Sequence, residues 1–319
     1  MEILDSQSKY LAFGCSYTQY GYPTYADFIG QAFDVRENLG QSGAGNRYIF
    51  HKVVATLDML KRNKVKLTKD DLITIQWSGL PREDKLRTGV HYFETPGYLG
   101  SQGVFPDEYV NTYFSLEQNF FELLNYISIL KLAFESLDVQ YRMFYMMDPT
   151  LEDFLGEAFF SNMFDEQSKN LKTNGYLGEL KKVLPLDIES IETFRIKYTM
   201  DKEPPYCYAW KNEETDEVEI NDDTHPTPYA HVEYAKYLSS KLDKDVLKEG
   251  NFDFSPVIAQ CDDYFNLSKI KADAKKGIAR TQIHLPLSSL GLKDENFSML
   301  SHTRCTSILP YLEQYKPVM

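Results

Sequence analysis

The sequence predicts an α/β protein built on a parallel sheet, and three observations carry that prediction. Apolar runs of strand length recur at Tyr10–Gly14, Val35–Leu39 and Asp71–Trp77. Segments with helical spacing fill the intervals between them, which is the alternation of right-handed crossovers in a parallel sheet. Each run stops at small or polar residues, at the strand ends where such sheets place their ligands.

The elements follow in order. After a polar lead, Tyr10–Gly14 forms the first strand and runs into Cys15-Ser16-Tyr17-Thr18. A helix over Thr24–Phe33 is expected, with Thr24 as its cap and Tyr25, Phe28, Ile29 and Phe33 at helical spacing. The second strand, Val35–Leu39, leads into Gly40-Gln41-Ser42-Gly43-Ala44-Gly45-Asn46 and a helix over Arg47–Lys61. A glycine-rich turn ahead of a helix leaves N–H groups pointing at an anion, though such clusters also serve as plain flexible turns. Asp71–Trp77 is the third strand, followed by Ser78-Gly79-Leu80-Pro81-Arg82-Glu83-Asp84.

Residues 88–112, rich in Gly, Tyr and Phe, form a long excursion. Ser115-Leu116-Glu117-Gln118 has the capping-box pattern and opens a helix through Leu137; Gln140–Met147 is the fourth strand, stopped by Asp148-Pro149. From 150 to 220 the pattern is weak, with helices expected near Leu151–Phe160 and Gly178–Val183 and an extended Phe194–Tyr198. Thr227-Pro228 then opens a closing helix over Tyr229–Leu242. Beyond Val246 no apolar period is sustained, and prolines stand at 256, 286, 310 and 317. The expected organisation is a domain over 1–245, with an insertion over about 90–200, and an extended C-terminal arm over 246–319 that binds a partner.

Composition narrows the function. The chain has 319 residues, 43% of them apolar, enough for a sizeable core, and a formal charge of −13, which argues against a general nucleic-acid binder. Residues 246–319 carry a balance of +1, so the acidity lies in the first 245. No apolar stretch approaches the roughly 20 residues of a membrane helix, and no export signal is legible. The expected location is the cytoplasm. Cysteines 15, 207, 261 and 305 lack metal-ligand spacing and are too sparse for a disulfide scaffold.

Ser16 at a strand end and Asp222-Asp223-Thr224-His225-Pro226 ahead of the closing helix supply the groups of a nucleophilic triad. A serine hydroxyl needs a base, which an imidazole provides near neutrality, and a carboxylate fixes the tautomer of that imidazole. Ser16 is therefore the candidate nucleophile, His225 the base and Asp222 its orienting partner. The backbone N–H groups of Ser16 and Gly43 are the expected oxyanion donors, with Asn46 or Ser78 as a third. A metal site at Asp222, Asp223, His225 and His231 lacks any strong ligand spacing. No cofactor is expected.

These blocks resemble the SGNH/GDSL hydrolases. Phe13-Gly14-Cys15-Ser16-Tyr17-Thr18 is similar to their first block, Asn38-Leu39-Gly40-Gln41-Ser42-Gly43 to their second and Asp222-Asp223-Thr224-His225-Pro226 to their last, over roughly residues 8–243. The resemblance implies a flavodoxin-like three-layer sheet of about five parallel strands. It also implies hydrolysis of an ester, such as an O-acetyl group on a surface polysaccharide or a small molecule. Two departures stand out: Cys15 replaces an acidic residue, and the third strand ends Gln76-Trp77-Ser78-Gly79 where the family has Gly-x-Asn-Asp. The style of the first two blocks also resembles SGNH-type proteins of tailed bacteriophages, which implies a host glycan as substrate, a virion as the location of a phage-encoded chain and a virion partner for 246–319. The competing expectation is a non-catalytic structural or binding protein of a phage particle that keeps the fold, with its many tyrosines between 88 and 210 available to stack on sugars.

Overall fold

A computed structural model describes residues 7–87, 92–94, 107–148, 165–184, 187–199, 207–211, 217–222, 225–276 and 287–293. In chain order the elements are β1 (Lys9–Phe13), α1 (Tyr25–Gly30), β2 (Val35–Asn38), α2 (Asn46–Arg62), β3 (Leu72–Trp77), β4 (Lys85–Arg87), β5 (Tyr92–Glu94), α3 (Asp107–Tyr113), α4 (Leu116–Leu137) and β6 (Gln140–Tyr145). They continue with α5 (Asp165–Thr173), α6 (Tyr176–Val183), α7 (Ile191–Thr199), β7 (Cys207–Lys211), β8 (Val218–Asp222), α8 (Pro228–Ser239), α9 (Val246–Glu249), α10 (Ser255–Tyr264) and α11 (Leu267–Ala274). The chain divides into two compact units, one drawn from residues up to 18 and 33–190, the other from 19–32 and 191–295.

The first unit holds an all-parallel sheet in the order β2-β1-β3-β6, flanked by helices, so the α/β class expected from the sequence is the class observed. Four of the expected strands, about five in number, lie among the described residues. The two inner strands explain the unbroken apolar runs: every residue of β1 and β3 is buried, because an inner parallel strand is covered on both faces. The edge strands β2 and β6 have partly exposed positions. In register, Tyr10 faces Leu72 and Leu72 faces Gln140, so β1 ends at Phe13 beside Ile75 while β3 runs two residues further, to Trp77 beside Tyr145. At the opposite end of the sheet, Asp71 accepts the Lys9 N–H at 2.7 Å and pairs with the buried Lys9 ammonium at 3.5 Å. α2 packs on β1 and β3, and α4 on α2, α5 and α6. Ser115 caps α4, its hydroxyl accepting the Gln118 N–H at 3.1 Å, but the Gln118 side chain donates to Glu122 rather than closing the box.

The second unit is helical around α8, which packs against α1, α7, α9 and α10, with an antiparallel pair β7–β8 and α11 against β7. Two expectations are corrected here. Phe194–Tyr198 is not extended but lies in α7, because Ile191 and Phe194 share a face and Phe194 meets Tyr234 and Tyr237 of α8, both at 5.1 Å between ring centres. Residues 246–274 are not an extended arm either. They form three short helices that bury Leu247, Phe254, Val257, Cys261 and Ile270, and Phe254 packs on Phe28 of α1 at 4.8 Å. Helices of one to three turns are too short for a period to accumulate in the sequence. The expected helix near Leu151–Phe160 lies outside the described residues; that near Gly178–Val183 is α6. Among the described residues no helix is long and apolar enough to cross a membrane.

Candidate functional site

Ser16 sits in a tight turn at the carboxyl end of β1. The turn is closed by the Thr18 N–H donating to the Cys15 carbonyl at 2.9 Å and anchored by Asn38 of β2, whose amide donates to the Thr18 carbonyl at 2.7 Å. Beneath it lies a neutral buried network. The Thr18 hydroxyl donates to Gln76 Oε1 at 2.6 Å, Gln76 Nε2 donates to Cys15 Sγ at 3.3 Å, and the Cys15 thiol faces Met146 Sδ at 3.2 Å. Gly14 is required for this approach, since a Cβ there would stand 2.1 Å from Thr18 Oγ1 and 2.9 Å from Gln76 Cβ. Gln76 thus spends its amide on the turn that carries the serine. Ser16 itself is buried, with 4% of its surface exposed.

The glycine-rich turn runs alongside. The Gln41 N–H donates to the Gly14 carbonyl at 2.9 Å and the Ala44 N–H to the Gln41 carbonyl at 3.0 Å, with Gly43 in the left-handed region at φ 78°. Among the described residues the Gly43 N–H donates to no other group. The N–H groups at the start of α2 do meet an anion, and it belongs to the chain. Asp84 accepts the Gly45 N–H on one oxygen and the Tyr48 N–H on the other, both at 2.8 Å, and so caps a helix whose own cap residue, Gly45, has no side chain. A Cβ at Gly45 would lie 2.6 Å from Asp84 Oδ2. Burial pushes the Asp84 carboxyl up to about 6, assisted by Glu83 and opposed by the two N–H bonds and Arg82.

Asn46 and Ser78 are brought together. The Asn46 amide brackets the Ser78 backbone, donating to its carbonyl at 3.1 Å and accepting its N–H at 2.8 Å. The Ser78 N–H is therefore engaged, and one Asn46 N–H is as well. The Ser78 hydroxyl is fully buried and has no hydrogen-bond partner among the described residues. Ser16, Gly43, Asn46 and Ser78 all belong to the first unit.

Asp222 and His225 belong to the second. Asp222 closes β8, paired with Cys207 across the two-stranded ladder. His225 follows, and its ring stacks on Tyr20 with centres 4.0 Å apart and planes 20° from parallel. Tyr22, from the same segment, donates its hydroxyl to the Pro226 carbonyl at 3.0 Å. Thr227 caps α8, accepting the Ala230 N–H at 3.3 Å, with Pro228 in its first turn. His231 is structural: its Nδ1 accepts the Tyr25 N–H at the start of α1 at 3.2 Å, and full burial with His225 nearby lowers its pKa to about 3. Among the described residues no group of three or more His, Cys, Asp or Glu side chains is arranged to hold a metal ion.

Sequence reasoning missed the parts played by Gln76, Asp84 and Tyr20. Asp84 stands at the end of the stretch that follows the third strand, far in sequence from the helix it caps, and Tyr20 is one tyrosine among 23. Compared with protein-family models, curated proteins and solved structures, the chain matches none.

Proposed function

We propose that the protein is a serine esterase acting through an acyl-Ser16 intermediate, with an O-acetylated surface polysaccharide as its substrate class. The observation that carries this is the turn Cys15–Thr18: a serine on a hydrogen-bonded turn at the end of an inner parallel strand, held from below by Gln76 and from the side by Asn38. Two features add support. Tyr20, four residues after Ser16, stacks on His225, which gives the base a fixed ring plane. The Gly43 N–H, at a left-handed glycine, has no other described group to donate to, as an oxyanion donor requires.

In the proposed cycle His225 takes the Ser16 proton as Oγ attacks the acyl carbonyl, and Asp222 stabilises the imidazolium. The N–H groups of Ser16 and Gly43 hold the oxyanion. His225 returns the proton to the leaving alkoxide, and a water activated by the same imidazole then releases the acyl group from Ser16.

The test is labelling with a fluorophosphonate probe and location of the adduct by mass spectrometry. An adduct on Ser16, absent from Ser16→Ala, is expected, and Asp222→Asn should lower turnover by on the order of 10³-fold or more while the protein stays folded. A specific observation favours a second reading. The Ser78 N–H is spent on Asn46, which leaves the oxyanion position without that donor, and loss of one donor costs about 100-fold or more in rate. A folded protein that takes no label would support a non-catalytic binding or structural protein, such as a component of a phage particle.

A further inference from the structure

From the same unit as Ser16, but from none of the groups assigned to hydrolysis, we infer that a cavity of about 270 Å³ between the β3–β4 loop and the α3–α4 corner binds a neutral pyranose ring. The charges in its wall are already matched. Arg47 donates to both oxygens of Glu122 at 2.9 Å, and Lys85 pairs with Glu83 at 2.8 Å. What is left over is hydrogen-bonding capacity of a particular kind. Glu83 is buried, and its closest contacts with Lys85, Tyr109 and Arg47 are all made through Oε1, which leaves the lone pairs of Oε2 as further acceptor capacity. Asn119 donates its amide to the Leu80 carbonyl at 2.9 Å and Gln118 donates its own to Glu122 at 3.0 Å. Those bonds fix both amide orientations and leave two carbonyl oxygens as acceptors. Lys85 keeps ammonium protons to give.

Sugar hydroxyls donate and accept at once and answer both needs. An anion would meet three acceptor oxygens, and a cation would meet Lys85 and Arg47. The rim supplies the other half of a sugar site: Tyr113 is 69% exposed, an unusual position for a large ring, and Tyr109 lies 6.0 Å from it between ring centres. An exposed aromatic face beside buried polar groups suits the apolar C–H face of a pyranose. The cavity is of a size for one ring. This site does not depend on the hydrolytic reading of Ser16.

The test uses the full-length protein with the methyl glycosides of glucose, galactose, mannose and N-acetylglucosamine, none of them an ester, in saturation-transfer NMR. At least one is expected to bind with a dissociation constant on the order of 1 mM. Tyr113→Ala, at an exposed position, should weaken that binding about tenfold with an unchanged melting temperature, and Glu83→Gln should weaken it at least as much. If Glu83→Gln fails to fold, Tyr113→Ala decides. Absence of transfer to all four glycosides, or binding that Tyr113→Ala leaves intact, overturns the proposal. So does binding of acetate or methylammonium in place of the glycosides.

Discussion

Two junctions of the first unit solve the same problem with opposite chemistry. After β1 and before α2 the backbone is pressed against a side chain so closely that only glycine fits, at Gly14 and at Gly45. The first junction is closed by uncharged groups, Thr18, Gln76 and Cys15, and the second by a buried carboxylate, Asp84. The difference teaches what each is for. A neutral amide and hydroxyl hold the Ser16 turn in one shape whatever the pH, whereas Asp84 offers the stronger charge-assisted bond to a helix terminus at the cost of a titration near neutrality.

The largest effect expected from breaking this pair is at Gly14. Gly14→Ala places a Cβ 2.1 Å from a hydroxyl held by Gln76 and 2.9 Å from Gln76 Cβ, so strand and turn must both shift, at about 3 kcal/mol. Gly45→Ala meets the terminal oxygen of Asp84 at 2.6 Å, which gives way more readily, and should cost about half as much. Urea denaturation of the two variants checks the order; an equal or reversed cost would mean that the Gln76 network is softer than its geometry implies.

Asn46→Ala comes next. It strands the N–H and carbonyl of Ser78, both deep in the unit, at about 2 kcal/mol, and Asn46→Asp, which keeps the acceptor for the N–H, should recover part of that. Denaturation midpoints of the two variants decide the matter. Equal losses in both would show that the carbonyl bond carries the effect.

How much of this was legible follows from the same two junctions. The strands were, because an inner parallel strand must be apolar on both faces, and β1 and β3 are. So were Ser115 and Thr227 as helix caps, since the capping residue lies within three positions of the N–H it serves. The glycine-rich turn offered two readings, an anion cradle and a plain flexible turn, and nothing local chose between them: Asp84 lies 39 residues from Gly45, and no local pattern joins them. Gln76 was visible only as a residue near the end of an apolar strand, and not as the support of the Ser16 turn 58 residues away. The second unit was least legible. Its helices are short, and their partners, such as Phe28 for Phe254 and Tyr20 for His225, come from distant stretches of chain.

The prediction that most sharpens the contrast is the response to pH. Burial holds the Asp84 carboxyl at about 6 against an ordinary 3.8, so between roughly pH 4 and 6 the folded chain binds a proton that the unfolded chain has released. Stability linked to this group therefore grows as pH falls through 6 and is lost as pH rises, by about 3 kcal/mol at most. Asp84→Asn removes the titration while keeping one acceptor for the start of α2. The gap in unfolding free energy between the unaltered protein and Asp84→Asn should thus widen in favour of the unaltered protein as the pH is lowered from 7 to 4. Gln76→Leu, which breaks the uncharged junction, should show a gap that stays constant over that range. A constant gap for Asp84→Asn would place its carboxylate with the ordinary surface acids and remove the distinction between the two junctions.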